Sequence, residues 1–228
     1  MSLTLTWYGH ATWMVGTEAG KILIDPFFND NPKAPLTADE VQADLILVSH
    51  GHFDHIADAA SIATRTQAPV VANFEIAEWL AAQHGIENRV GMNIGGQYRH
   101  DLATIKMTHA LHSSQLPDGS YGGNPGGWLL TIGDQVIYFA CDTALFSDMR
   151  RIGDAGIDVA VVPIGDLFTM GPEDSIQAIQ LLRAKHVLPT HYNTWPPIEQ
   201  DAEQWARRVH DETDSKPVVL QPGESREF

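Results

Sequence analysis

The chain has 228 residues, of which 43% are hydrophobic and 19% charged, and its formal net charge is −15. No composition shift or repeat marks a boundary, so we expect a single domain over residues 1–228. The acidic balance, without a cluster of lysine and arginine, excludes a nucleic-acid binder that works by neutralising phosphates. There is no apolar run near the roughly 20 residues of a membrane span and no signal-peptide pattern, and the single cysteine, Cys141, fits a reducing cytoplasm.

The first half of the chain alternates strand and helix patterns. Alternating or fully apolar runs predict strands over residues 3–8, 12–15, 21–25, 45–49 and 69–72. Two longer stretches, 57–66 and 75–84, predict helices, and Gly85 closes the second. Residues 29–36, rich in proline and asparagine, predict a loop, and residues 91–101 predict irregular structure.

The second half continues the mixed α/β pattern after a strand predicted over residues 104–109. Residues 116–127 contain five glycines and two prolines, which predict a long loop. A hairpin is predicted around Gly133, with strands over 128–132 and 135–140. The remaining prediction is of strands over 158–163, 186–189 and 217–220, and of helices over 147–154, 172–182 and 198–210.

Several apolar strands are followed by a side chain that can bind a metal. These side chains are Asp25, His50, Asp142, Asp166 and His191. In layered α/β proteins, ligands bind outside the carboxyl ends of the strands. The recurrence therefore predicts one site to which several strand ends contribute.

The densest group of potential ligands comes directly after the strand predicted over residues 45–49. Its members are three histidines and one aspartate: His50, His52, Asp54 and His55. Such groups at the end of a buried strand would repel and desolvate one another unless a cation held them together. In a tight turn the first two can point to one side and the last two to the other. This predicts two metals, each with an incomplete set of ligands.

The missing ligands must come from later segments of the chain. The candidates are His109 or His112, then Asp142, then His191. Strand alternation alone leaves the choice between His109 and His112 open.

The ordered motifs resemble the metallo-β-lactamase superfamily, for which His-x-His-x-Asp-His after an apolar strand is characteristic. The later segments resemble its branch of metal-dependent hydrolases similar to bacterial ascorbate-6-phosphate lactonase. The matching segments are YGHA (8–11), IDPF (24–27), ALHSS (110–114), YGGNPG (121–126), CDT (141–143), PIGD (163–166), FTMGP (168–172) and THYNT (190–194). They span nearly the whole chain in order.

The resemblance implies how the ligands are divided between two metals. His50, His52 and His112 would bind the first metal, Asp54, His55 and His191 the second, and Asp142 would bridge both. It thereby favours His112 over His109. It also implies an α/β fold of the four-layer αβ/βα sandwich type, with the site at one edge between two sheets.

The expected function is that of a binuclear metal-dependent hydrolase. Two divalent ions can lower the pKa of a shared water from 15.7 toward about 7, and the resulting hydroxide attacks a carbonyl carbon or a phosphorus. The expected substrate is a small ester, lactone or phosphodiester, and the expected metal is zinc or manganese, with nickel and iron as alternatives. A nuclease of the same superfamily and a non-catalytic metal-binding or ligand-sensing module are the alternative functions. Oligomeric state, a homo-oligomer included, is left open.

Three residues are predicted to be catalytic: Asp54, His10 and Asn193. His10 is either a buried structural histidine or an active-site residue, and the resemblance favours a place near the metals, where it could form a hydrogen bond to substrate. Asn193 is expected to donate a hydrogen bond to a substrate oxygen. Asp25 is either a turn residue or a group that orients a metal-bound histidine. Asp166 and Thr169 either form a turn or line the pocket.

Overall fold

The computed structural model describes residues 3–228 as two seven-stranded sheets with helices on their outer faces. Residues 1–2 lie outside the described part of the chain. They belong to the N-terminal stretch in which the sequence shows no signal-peptide pattern. Within residues 3–228 no helix is both long and apolar enough to cross a bilayer.

Each sheet takes its strands largely from one half of the chain. The strands are β1 (Thr4–Trp7), β2 (Trp13–Gly16), β3 (Lys21–Ile24), β4 (Leu45–Val48), β5 (Val70–Asn73), β6 (Arg89–Met92), β7 (Gln97–His100), β8 (Ala103–His109), β9 (Gly126–Ile132), β10 (Gln135–Phe139), β11 (Val159–Pro163), β12 (His186–Thr190), β13 (Lys216–Pro217) and β14 (Ser225–Glu227). The helices are α1 (Phe53–Ile56), α2 (Ala59–Thr66), α3 (Phe74–His84), α4 (Met149–Gly153), α5 (Pro172–Leu182) and α6 (Ala202–Glu212). The sheet orders are β14-β1-β2-β3-β4-β5-β6 and β13-β12-β11-β10-β9-β8-β7.

The side chains of β4 show why the fold is layered. Leu45 and Leu47 belong to the core shared by the two sheets, whereas Ile46 and Val48 belong to a second core that contains Ile62 of α2. Successive side chains of a strand point to opposite faces, so a fully apolar strand must be covered on both sides. On the far side of the second sheet, the shared core continues through α5 and α6. The four-layer αβ/βα sandwich is therefore confirmed, while the single domain over residues 1–228 stays a prediction.

Strand direction brings the predicted strand ends to one edge. β3, β4 and β5 are parallel, and so are β10, β11 and β12. Both β8 and β10 pair antiparallel with β9, so their carboxyl ends also meet at one edge. The site forms where these edges of the two sheets lie side by side.

Several local predictions differ from the structure, among them the strand predicted over 217–220, which is only β13 at Lys216–Pro217. Residues 91–101 contain the end of β6 and all of β7, whose polar, half-exposed side chains carry no apolar alternation. The helix predicted over 57–66 corresponds to α2, which begins at Ala59, whereas the short helix α1 inside the histidine cluster was not predicted. The helix predicted over 198–210 begins at Ala202, after a 3₁₀ turn at Pro196–Ile198. The exposed strand β14 was not predicted.

Candidate metal centre

The backbone at the site edge is held in an unusual conformation. Asp25, Cys141 and His191 each follow a strand within two residues and have φ values of 45°, 52° and 55°. His10, in the turn between β1 and β2, has a φ of 55°. Positive φ is uncommon for residues other than glycine, and such strain clusters at functional sites. The chain therefore turns sharply at this edge, where the potential ligands converge.

The first ligand group consists of His50, His52 and His112. One ring nitrogen of each lies within 4.8 Å of the others, and Nε2 of His50 is 3.0 Å from Nδ1 of His52. His50 is fully buried, and the other two are partly exposed. Two of these residues follow β4 in the first sheet, and His112 follows β8 in the second.

The second ligand group consists of Asp54, His55 and His191, with His10 beside them. Ligand atoms of all four lie within 4.8 Å of one another. The Nε2 atoms of His55 and His191 are each 3.8 Å from Oδ2 of Asp54. Here too both sheets contribute, because His191 follows β12.

Asp142 lies between the two groups. Its Oδ2 is 3.1 Å from Nε2 of His191 and 3.3 Å from Nε2 of His55. The same oxygen is 3.5 Å from Nε2 of His112 and 3.9 Å from Nε2 of His50. One carboxylate oxygen thus reaches two side chains of each group, which is the arrangement that a bridging ligand requires.

Unsatisfied buried atoms show that the site fits metal ions. Nε2 of His55, Oδ1 of Asp142 and Nδ1 of His191 are buried without a hydrogen-bond partner. Buried polar atoms are normally paired, because leaving them unpaired is unfavourable. Imidazole nitrogens together with carboxylate oxygens form a donor set that divalent transition metals accept. The residues present therefore fit divalent cations.

Burial and the neighbouring charges prepare these groups for a cation. Burial lowers the pKa of His50, His52 and His112, so these rings are neutral, as metal ligation requires. Burial also acts on His55, but the charges of Asp142 and Asp54 outweigh it and raise its pKa well above the usual value. For Asp142, the opposing effect of burial is outweighed by His191 and His55, which hold its pKa well below the usual value. The carboxylates therefore favour positive charge beside them, while burial keeps the rings of the first group neutral.

Asp25 orients one histidine of each group. Nδ1 of His55 donates to Oδ2 of Asp25 over 2.9 Å, so Nε2 is the nitrogen that can bind a metal. Ser49 donates its hydroxyl to the same oxygen over 2.6 Å, and its Oγ lies 2.9 Å from Nδ1 of His50. The contacts favour the orienting role of Asp25 over a plain turn residue.

His10 holds Asp54 in the same way. Its Nε2 lies 2.9 Å from Oδ2 of Asp54, and its Nδ1 lies 2.8 Å from Oγ1 of Thr194. Burial lowers the pKa of His10 to about 3, so the ring is neutral. Nε2–H then donates to the carboxylate, and the threonine hydroxyl donates to Nδ1. Asp54 is thus fixed in direction before any ion binds.

Comparisons with known proteins agree with this geometry. Residues 21–192 match the family model described as a β-lactamase superfamily domain. The chain is 50% identical over 216 residues to a UPF0173 metal-dependent hydrolase of Thermus thermophilus, with 95% of each chain covered.

The chain belongs to the metallo-β-lactamase superfamily. Another relative within it is a UPF0173 metal-dependent hydrolase of Deinococcus radiodurans, 44% identical over 224 residues, with 96% of this chain and 97% of the relative covered. Among solved structures, Igni18, described as a novel metallo hydrolase from the archaeon Ignicoccus hospitalis, superposes with a TM-score of 0.90. It is 34% identical, and the match covers 100% of this chain and 99% of that one.

Two other residues that the sequence suggested for the site, Asn193 and His109, lie away from the potential metal ligands. The amide of Asn193 accepts from the backbone N–H of Gln200 over 2.7 Å and donates to its carbonyl over 3.1 Å. Asn193 lines a separate cavity, so its predicted contact with substrate finds no support in this geometry. His109 is exposed and packs edge-on against Phe146. Its position agrees with the choice of His112 as ligand.

Asp166 and Thr169 form a turn, as one of their two interpretations predicts. The backbone N–H of Thr169 donates to the carbonyl of Asp166 over 3.0 Å. Neither residue lines the cavity above the ligands, whereas Leu167 and Phe168, between them, do.

A cavity of about 930 Å³ opens above the ligands. Its floor includes Asp54, His112 and Asp142, and its walls include Phe53 and Trp195. Sequence analysis missed these two wall residues. The signal for both is an aromatic residue next to a ligand segment, Phe53 within the histidine cluster and Trp195 shortly after His191.

Proposed function

We propose that the protein is a hydrolase that uses two divalent metal ions to cleave a small ester, lactone or phosphodiester. The observation that carries the proposal is the position of Asp142, whose Oδ2 lies within 3.9 Å of nitrogens from both ligand groups. The names of the relatives, which are metal-dependent hydrolases, support the class of reaction.

Divalent ions bound here would supply Lewis acidity and a water whose pKa is lowered toward about 7. The side chains of this protein prepare the site for that chemistry. Asp142 is shared by the two groups, and Asp25 leaves Nε2 of His55 available as a ligand. His10 holds Asp54 by a hydrogen bond, which makes it a positioning residue and not a group that contacts substrate. Zinc and manganese both suit mixed nitrogen and oxygen ligands.

The cavity supports a small substrate and argues against the nuclease alternative. At about 930 Å³ it is of the size that small-molecule sites have. No lysine or arginine is among the described residues that line it. A polynucleotide substrate would need such cations to neutralise its phosphates.

We also propose that the protein is located in a reducing cytoplasm, because its single cysteine, Cys141, is buried and unpaired.

Metal analysis of the purified protein, together with hydrolysis assays, tests the proposal. We expect about two divalent ions per chain, and turnover of at least one member of a panel of esters, lactones and phosphodiesters. His50→Ala and Asp142→Ala should lose metal and activity together. His109→Ala, an exposed histidine outside the ligand groups, is the matched control and should keep both.

The outcomes separate the parts of the proposal. A single tightly bound ion that supports turnover would overturn the binuclear mechanism alone. Full occupancy with no turnover across the panel would overturn the hydrolase assignment and favour the non-catalytic metal-binding module.

A further inference from the structure

Large apolar side chains surround the opening of the cavity above the metal centre. Phe53 is 55% exposed, Leu167 67% and Phe168 54%, and all three line the cavity together with half-buried Trp195. Scattered exposed apolar residues are ordinary, but a contiguous apolar patch at one opening marks a binding surface. These four residues, named here the apolar wall, face the space in which a substrate must lie.

One side of the apolar wall is supported from behind. The rings of Phe53 and Trp195 are 6.1 Å apart, and buried Phe27 packs at 5.8 Å from the first and 6.1 Å from the second. His10 lies 4.9 Å from Trp195 on the same side. Aromatic rings packed in this way present a fixed apolar surface, so part of the wall is preformed.

The described residues that line the cavity include no lysine or arginine to pair with a charged substituent. Its lining contains five ionisable residues, all among the ligand set: His52, Asp54, His112, Asp142 and His191. Among the described residues no lysine or arginine joins them, and the whole chain carries a net charge of −15. A phosphate or carboxylate away from the reacting bond would meet apolar side chains and the neutral Ser113 and Gln115, with no lysine or arginine among the described lining residues to pair with its charge, which is unfavourable.

We propose that the substrate is an uncharged carboxylic ester or lactone that carries an aromatic or branched aliphatic group, which lies against the apolar wall. The inference rests on the proposed function and narrows it. In the reaction the acyl C–O bond breaks and the carbonyl carbon forms a new bond to the oxygen of water. The departing alkoxide takes up one proton of that water, and the carboxylic acid releases its own proton to solvent.

A pair of activated esters with the same leaving group tests the charge requirement on the metal-loaded protein. The 4-nitrophenyl esters of 4-phenylbutanoate and of succinate differ only in the acyl part, which is apolar in one and anionic in the other. We expect kcat/KM to be roughly tenfold or more higher for the phenylbutanoate ester. Bis(4-nitrophenyl) phosphate should be a poorer substrate than the phenylbutanoate ester.

Variants at the exposed Leu167 separate specificity from folding. Leu167→Arg should raise kcat/KM for the succinate ester and lower it for the phenylbutanoate ester, which reverses or erases the preference. Leu167→Gln, polar but uncharged, is the matched control and should weaken the apolar ester without improving the anionic one.

Binding of unreactive amides gives a readout that does not depend on turnover. By titration calorimetry, 4-phenylbutanamide should bind the metal-loaded protein at least tenfold more tightly than glutaramide, and Phe168→Ala should reduce that ratio. Equal binding of the two amides, or equal kcat/KM for the two esters, would overturn the substrate inference alone. Selective amide binding without hydrolysis of any ester would overturn the proposed function and leave the ligand class standing. Absence of both binding and hydrolysis would overturn both.

Discussion

Asp25 acts on both ligand groups although it does not line the cavity. It accepts from His55 directly, and Ser49 relays its effect to Nδ1 of His50. A carboxylate can only accept hydrogen bonds, so it requires a proton on the nitrogen of His55 that faces it. The same residue has a positive φ of 45° directly after β3. The strained backbone places the Asp25 side chain where it contacts His55 directly and His50 through Ser49, so one side chain orients a histidine in each group.

Asp25→Asn should weaken metal binding at both groups. The amide nitrogen accepts no hydrogen bond, so in either orientation of the asparagine one of the two oxygens that accept from Ser49 and His55 is lost. With the nitrogen in place of Oδ2, His55 is free to change tautomer. Loss of such an orienting partner lowers metal affinity roughly 10–100-fold. Competition with a chromophoric chelator measures the change. Asp30→Asn, at an exposed turn carboxylate, should bind metal like the parent, and parental affinity in Asp25→Asn would refute the orienting role.

Thr194→Val tests the support of His10. Valine has a similar shape but leaves Nδ1 of this buried ring without a donor, which should lower the free energy of unfolding by about 1–3 kcal/mol. Thr194→Ser restores the hydroxyl and should recover most of that loss. Urea denaturation of both variants in the presence of metal gives the comparison. Equal stability of the valine and serine variants would show that the bond contributes nothing.

At the scale of elements, the ends of β11 and β12 approach each other closely beside the metal centre. A Cβ atom at Gly165, after β11, would overlap the backbone oxygen of His191, after β12. Only glycine leaves room for this approach, which places His191 in its group.

Gly165→Ala should therefore displace the backbone of His191. We expect a loss of about 1–3 kcal/mol in stability, as for other overpacked sites, together with weaker metal binding. Gly16→Ala, at the end of β2, is the matched control, because its Cβ would meet Thr4 only at an ordinary 3.7 Å. Thermal unfolding of both variants measures the change in stability, and metal titration measures the change in metal affinity. Unchanged metal affinity in Gly165→Ala would contradict the prediction.

Elements with a strong local pattern could be predicted from the sequence. Fully apolar β4 and the helix α5, which begins with proline, agree closely with their predicted ranges. The edge strand β7 could not be predicted, because its side chains are mostly polar and half-exposed. Its pairing with β8 is held by backbone hydrogen bonds, which leave no pattern in the sequence. The short exposed strand β14 is formed by pairing with β1 across nearly the whole chain, which no local window records.

The residues of the candidate site could likewise be predicted only in part from the sequence. Residues 50–55 could be predicted because their ligands are adjacent in the sequence, and Asp142 and His191 because each follows an apolar strand. The choice of His112 over His109 needed the family resemblance, since the chain leaves β8 at His109 and then turns. Phe53 and Trp195 of the apolar wall were missed, because these two aromatic residues become neighbours only through a contact between distant segments.

At the scale of the whole molecule, each ligand group takes residues from both sheets. His50 and His52 meet His112, and Asp54 and His55 meet His191. The carbonyl of His10, in the first sheet's β1–β2 turn, also accepts from the backbone of His191 over 3.0 Å. Ions bound by these groups would therefore connect the two sheets at the edge where a hydrogen bond already joins them.

Chelation should lower the thermal stability without unfolding the protein, because two extensive apolar cores lie outside the metal centre. A metal present at 1,000 times its dissociation constant stabilises a fold by about 4 kcal/mol, which corresponds to roughly 8–16 °C for a chain of this size. Calorimetry with and without chelator measures the shift. Asp142→Ala should show little response to chelator, and a parent protein with no shift would contradict the connection between the sheets.

The division of the ligands between the two sheets has a consequence for synthesis on the ribosome. His191 completes the second group, and it follows β12 of the second sheet. A nascent chain that has made β1–β6 carries His50, His52, Asp54 and His55 but cannot yet enclose an ion with them. Full metal loading would therefore require that both sheets have been made and have docked.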